Sequence, residues 1–251
     1  MAEYIPKFSY DGMVDYREIA PAAKFAGAIE CFWINSQTGP GGAHRVLPDG
    51  CADIIFSRGS GMASLEAVGP MTRYRDFTLP PGNQIVGVRF RPGMWTSHLG
   101  IPGDRITDGI LPLDALWGVR AQRLLERLSD AVTVEQCVQI FAASLPAEQP
   151  SSPVQRAIAW MERRHGCVRT DELAGHAGIG ERQFRRVCLE RTGLTPKLLA
   201  RILRFRHAVS RVPQHTGAFA GLALDCGYYD QAHFINEFHD FAGRAPSEFL
   251  R

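Results

Sequence analysis

Two helical patterns about fifty residues apart, each punctuated by glycines, constrain this 251-residue chain more than any other feature. In the first, Asp171-Glu-Leu-Ala-Gly-His-Ala177 runs into Gly178, and Glu181 to Thr192 runs into Gly193-Leu-Thr-Pro196. In the second, Ala218 to Cys226 runs into Gly227, and Asp230 to Phe241 runs into Gly243-Arg-Ala-Pro246. Glycine just past a helix supplies the left-handed residue that ends it, and proline suits the first position of a following helix. Leu173, Ala174 and Ala177 in one copy match Leu222, Ala223 and Cys226 in the other as inward positions. Ile179 and Tyr228 are placed to plug the angle after each turn. Phe184, Val187 and Cys188 anchor the first long helix, and Phe234, Phe238 and Phe241 the second. A repeat of this kind marks one supersecondary unit used twice.

A short helix, a tight glycine turn and a second helix make a helix-turn-helix, whose second helix can enter a DNA major groove. The residues left facing outward are Arg182, Gln183, Arg185 and Arg186 in the first unit, and Gln231, His233 and Asn236 in the second. Arginine can donate two bonds to guanine, and Gln or Asn can pair with adenine. Pro196 to about Val212 reads as a connecting helix of roughly 16 residues, spanning about 24 Å. With the flanking units added, the two second helices are expected about 34 Å apart, one turn of DNA. Charge agrees: from Ser151 onward 15 Lys and Arg face 10 Asp and Glu, whereas the first 150 residues hold 13 against 16.

Residues 154–251 resemble the DNA-binding domain of the AraC/XylS family of transcriptional regulators. The resemblance rests on Leu173-Ala174, Gly178, Phe184, Thr192-Gly-Leu-Thr-Pro196, Arg204, Ala208, Ala223, Gly227-Tyr228, Asp230-Gln231, His233-Phe234, Phe238, Gly243 and Pro246-Ser247. It implies base contacts from Arg182, Arg185 and Arg186 in the first unit. In the second it implies contacts from Gln231, Ala232, His233 and Asn236. Departures are Cys188 where an aromatic is common, Gly180 in place of a Ser or Thr cap, and Gly175 inside a helix.

Upstream, Leu145-Pro-Ala-Glu-Gln-Pro-Ser-Ser-Pro153 cannot continue a helix. It divides the chain into a domain over 1–145, a linker over 146–153 and a domain over 154–251. Ala28–Ile34, Ala52–Phe56 and Gln84–Phe90 read as strands. Between them lie turn signals at Gly39-Pro-Gly-Gly42, Pro48-Asp-Gly50, Arg58-Gly-Ser-Gly61 and Pro80-Pro-Gly-Asn83. Residues 113–145 change to helical spacing through Leu116, Val119, Leu124, Leu125 and Leu128, then Val134 to Leu145. The expected fold class is α+β: a β-rich, barrel-like N-terminal domain with terminal helices, and an all-α C-terminal domain of two helix-turn-helix units joined by a long helix. Residues 8–145 also resemble an uncharacterised sensor-like domain found before this type of DNA-binding domain. The segments that carry this are Ile29-Glu-Cys-Phe-Trp33, Arg45 to Phe56, Val68-Gly-Pro-Met71, Gly87 to Gly93 and Leu113 to Gly118. That implies effector sensing or dimerisation without naming an effector.

Asp49, Cys51 and Asp53, with His44 nearby, are metal-ligand types, but read more simply as a turn carboxylate, a buried thiol and a strand-end carboxylate. Arg89 and Arg91 alternate along a strand and are expected to share a face, pairing with Asp53 or Glu30 or else meeting an anionic effector. Trp33, Phe90 and Trp95 read as core or as the wall of an effector pocket. Cys31, Cys51, Cys137, Cys167, Cys188 and Cys226 are scattered, without zinc spacing. No cofactor or metal is expected and no catalytic residue stands out. The rival readings are a metal-dependent or alkyl-transfer enzyme fused to a DNA-binding module, and a non-specific architectural protein. The partners expected are double-stranded promoter DNA, a small-molecule effector, RNA polymerase and a second copy of the chain, with no membrane. No signal-peptide layout opens the sequence, so a cytoplasmic location is expected.

Overall fold

The computed structural model describes residues 14–37, 42–59, 61–146, 151–214 and 219–249. The Gly39–Gly42 and Arg58–Gly61 turns, the centre of the proline-rich stretch and the first residues of the chain fall wholly or partly outside them.

The N-terminal part is an antiparallel sheet in the order β1-β2-β7-β4-β5-β8. Its strands are β1 (Val14–Ile19), β2 (Ile29–Gln37), β4 (Ala52–Arg58), β5 (Ser64–Val68), β7 (Gln84–Phe90) and β8 (Ile110–Pro112). A separate two-stranded ribbon pairs β3 (Gly42–Val46) with β6 (Arg75–Leu79). The barrel-like expectation thus takes the form of a broad sheet faced by a ribbon, with β1 and β8 at the sheet's ends.

Successive side chains on a strand point to opposite faces, and here the sequence alternates accordingly. Phe32 and Ile34, Ile54 and Phe56, Leu65 and Ala67, and Val86, Val88 and Phe90 join one core. Leu124 and Leu128 of α3 (Val119–Ser129) and Cys137 and Phe141 of α4 (Val134–Ser144) cover that face. Two short helices, α1 (Thr96–Leu99) and α2 (Asp114–Trp117), precede them. Each fully buried Phe, Ile or Leu here contributes about 1.5–3 kcal/mol of transfer free energy. The opposite face, with Trp33, Asn35, Asp53, Ile55, Ser57 and Ile85, looks across a cavity at the ribbon.

The C-terminal part is helical: α5 (Pro153–Arg163), α6 (Thr170–Ala177), α7 (Glu181–Thr192), α8 (Pro196–Arg211), α9 (Phe219–Asp225) and α10 (Gln231–Ala242). Local chemistry sets the boundaries. Ser152 caps α5 in a reciprocal pair with Gln155, and Pro153 begins it. Gly178, Gly193, Gly227 and Gly243 all adopt positive φ. The connecting helix α8 has the expected 16 residues. Its Leu199, Ile202, Phe205, Ala208 and Val209 are buried in the core that joins both units.

Candidate nucleic-acid interface

Helix α7 buries Phe184 and Cys188, and the Cys188 thiol lies 3.7 Å from the Leu194 carbonyl, which also accepts from the Thr192 hydroxyl at 2.9 Å. Burial raises the thiol pKa to about 12, so it stays protonated. This rotation leaves Arg182, Gln183, Arg185 and Arg186 exposed, as the spacing predicts. Arg185 is paired with Glu181 one turn earlier, and Arg186 with Glu190 at 3.2 Å. Exposed pairs of this type contribute only about 0.3–0.5 kcal/mol and exchange readily for a stronger anion. Arg182 has no such partner among the described residues. Gly180 offers no side-chain cap to α7.

Helix α10 buries Phe234, Phe238 and Phe241 and exposes Gln231, Ala232 and Asn236. Asp230 caps it, accepting the His233 N–H at 2.7 Å. His233 is half-buried. Its ring lies edge-on to Tyr228, and its Nε2 is 3.7 Å from Glu237. Glu237, which the sequence reading did not single out, is buried and accepts from Arg201 Nε at 2.5 Å. Arg201 also reaches Asp240 at 3.1 Å, so α8 and α10 are tied by ions as well as by apolar packing. Arg204 donates to the Gly227 carbonyl at 3.1 Å and fixes the second turn. Tyr229, also missed, stands 86% exposed at the start of α10.

The two long helices open onto one concave surface, whose lining includes Arg185 of the first unit, Lys197, Arg201 and Arg204 of α8, and His233 and Asn236 of the second.

The back of this module is held by the N-terminal part. Thr107 donates to the Gly193 carbonyl at 2.8 Å, just past α7. Arg45 donates to the Ala242 carbonyl at 3.0 Å, and the Tyr74 N–H to that of Phe241, at the end of α10. Gly103 packs so closely that a Cβ there would lie 2.2 Å from the Gly193 nitrogen. Further along, Arg206 pairs with Glu30, and Arg91 with Glu162 at 2.7 Å. Burial alone would raise the Glu30 pKa, but the Arg206 charge and hydrogen bond outweigh it and bring it to about 2.

The remaining N-terminal residues sort as follows. Asp49 accepts the Cys51 N–H at 2.9 Å, and the Cys51 thiol lies 3.3 Å from Glu30. Arg89 sits 3.4 Å from both Asp49 and Asp53, which makes Asp53 the expected partner. Glu30 belongs to Arg206 instead. The expected sharing of a face by Arg89 and Arg91 does not occur. Strand β7 ends at Phe90, so Arg91 turns out toward Glu162 while Arg89 stays inside. Phe90 and Trp95 are core, whereas Trp33 lines the cavity and donates to Asp53 at 2.6 Å. All six cysteines are free thiols. No described helix is long and apolar enough to cross a membrane.

Two helix-turn-helix units in tandem on one connecting helix define a DNA-binding class of domain. Residues 173–251 match a family described as a helix-turn-helix domain. Residues 17–112 match a family described as a domain of unknown function (DUF6597). The HTH-type transcriptional activator RhaS of Pectobacterium carotovorum subsp. carotovorum is 28% identical over 94 residues, 37% of this chain. The match spans 34% of that relative's length. An AraC-type regulator from Chromobacterium violaceum aligns at 23% identity over 39% of this chain and 88% of that one, with a TM-score of 0.37. ToxT of Vibrio cholerae aligns at 12% identity over 87% of this chain and 96% of that one, with a TM-score of 0.45.

Proposed function

We propose that the protein is a sequence-specific transcriptional regulator and not an enzyme. In this reading residues 154–251 bind promoter DNA, residues 146–153 link, and residues 1–145 sense a small molecule or mediate dimerisation. It acts in the cytoplasm and influences RNA polymerase at the promoter. The observation that carries this is the arrangement of α7 and α10, whose Arg185 on one side and His233 and Asn236 on the other line a shared concavity, with Arg182, Arg186 and Gln231 exposed on the same two helices. Laid on duplex DNA, each helix enters one of two successive major-groove segments, and the concavity straddles the phosphates between them. The first helix, with three guanidinium groups, favours guanine and phosphate. The second, with amide side chains, favours adenine. His233 is already held by Asp230, Tyr228 and Glu237, so it positions the helix start as much as it reads a base.

Selection from random duplexes tests this. The full chain should recover an asymmetric site with two blocks about 10 base pairs apart. Arg182→Ala and Arg185→Ala should each relax one block by about 1–3 kcal/mol and lower the salt dependence of binding by about one unit of slope. Gln231→Ala should relax the other block and leave the slope alone. Uniform affinity for all duplexes, or an unchanged motif in both arginine variants, would overturn the assignment.

A further inference from the structure

The cavity between the six-stranded sheet and the ribbon is, we propose, a binding site for a small organic amine. This rests on the reading of the N-terminal part as the sensing part and names the chemistry it senses.

The cavity has a volume of about 220 Å³. That is room for about seven groups the size of a water molecule, and below the range of drug-sized pockets. Ile55, Phe77, Leu79 and Ile85 supply apolar wall. Trp33 lies flat across Gly87, where a Cβ would come within 2.2 Å of the indole, so the ring forms a floor. An aromatic floor suits a cation.

The polar groups are predominantly acceptors. Asn35 is only 4% exposed and its Oδ1 has no hydrogen-bond partner. Glu66 lines the cavity and has no ion pair or hydrogen bond among the described residues. Asp49 and Asp53 line it too. Arg89, the guanidinium in the wall, has no hydrogen-bond partner at Nε, but it stands 3.4 Å from each of those two carboxylates, which offset its charge. His44 on the ribbon is likewise engaged within the fold. Two aspartates around one arginine, with Glu66 in addition, leave the wall net negative. In a confined cavity that bias is felt more strongly than in bulk water. A carboxylate or phosphate ligand would meet Glu66 and find no free cation. An ammonium group would satisfy the Glu66 carboxylate, while its carbon body covers the apolar wall.

Titration calorimetry of the full chain without DNA tests the claim. Two matched trios serve as probes: benzylamine, benzyl alcohol and benzoate; and hexylamine, hexanol and hexanoate. At least one amine should bind saturably at one site, ten-fold or more tighter than its alcohol and its acid. Glu66→Gln should weaken that amine by ten-fold or more and leave the alcohol unchanged. Ser57→Phe, which fills the cavity from β4, should abolish binding, with both variants checked for a native melting transition. Absence of amine binding, equal or tighter binding of an acid or alcohol, or amine binding indifferent to both substitutions would overturn the proposal. Because DNA is absent, these outcomes are separate from those of the duplex selection. A chain that selects duplexes but rejects amines loses only the ligand assignment, and the reverse result loses only the regulator reading.

Discussion

The first helix-turn-helix unit buries the Cys188 thiol where the second buries the Phe238 ring. Phe238 meets Phe205 edge-on at 5.0 Å and Phe249 at 5.6 Å, with Phe234 at 4.7 Å. Among the described residues the first unit has no such cluster around Cys188; its aromatic stack is that of His176 on Trp160 at 5.1 Å. It also starts its long helix at an uncapped Gly180, where the second uses Asp230. The surfaces differ in the opposite sense. The unit with Cys188 in its core carries three arginines, and the unit with the phenylalanine cluster carries Gln231, Ala232 and Asn236. Charge attracts DNA over a distance and tolerates an adaptable scaffold. Amide readout needs donor and acceptor placed together, and that needs rigidity.

The widest gap between the units is expected in their cores. Phe238→Ala should cost about 3–5 kcal/mol in thermal or denaturant unfolding, and Cys188→Ala roughly 1 kcal/mol. Equal costs would erase the contrast in packing. Next comes the grip on the back of the module. Gly103→Ala forces a Cβ against the backbone of Gly193 and should cost about 1–3 kcal/mol. Hydrogen exchange should then rise around residues 189–195 and stay unchanged around 239–245, which are held by Arg45 and Tyr74 instead. Equal acceleration at both sites would mean that the units are not held separately. The smallest difference concerns the caps. Asp230→Ala should cost about 1 kcal/mol, whereas Gly180→Ser should gain a few tenths, both read as shifts in melting temperature. A Gly180→Ser that destabilises would show that the bare start of α7 is required by its surroundings.

Much of the C-terminal module was legible because its signals are local. A glycine past each helix and Pro196 at a helix start act within a turn of themselves, whereas Pro153, taken as the end of the linker, begins α5, and Asp230, taken into the helix, caps it. Of the eight strands among the described residues, β2, β4 and β7 were legible for the same reason, since alternation in β4 and β7 needs no knowledge of what covers them. What alternation could not say is which face meets helices and which meets a cavity, so Trp33 was left between core and pocket. Arg91 was misplaced because a strand pattern does not reveal where pairing stops. The contacts of Gly103 with Gly193, of Arg45 with Ala242 and of Arg206 with Glu30 join residues far apart in the chain. Nothing in their immediate neighbours marks them. Glu237 was passed over because a carboxylate amid phenylalanines looks like an exposed interruption until Arg201 is placed beside it.

Residues 44–51 lie between the two parts with their side chains dealt out in both directions. His44, Val46, Asp49 and Cys51 face the cavity, whereas Arg45 holds the end of α10, Leu47 enters the helical core and Gly50 lies under Leu199 and Ile202. A segment threaded in this way is in contact with the cavity and with the helical part through alternate side chains. The cavity wall and the end of α10 are thus separated by a single backbone segment, with Arg45 bridging from it to the Ala242 carbonyl.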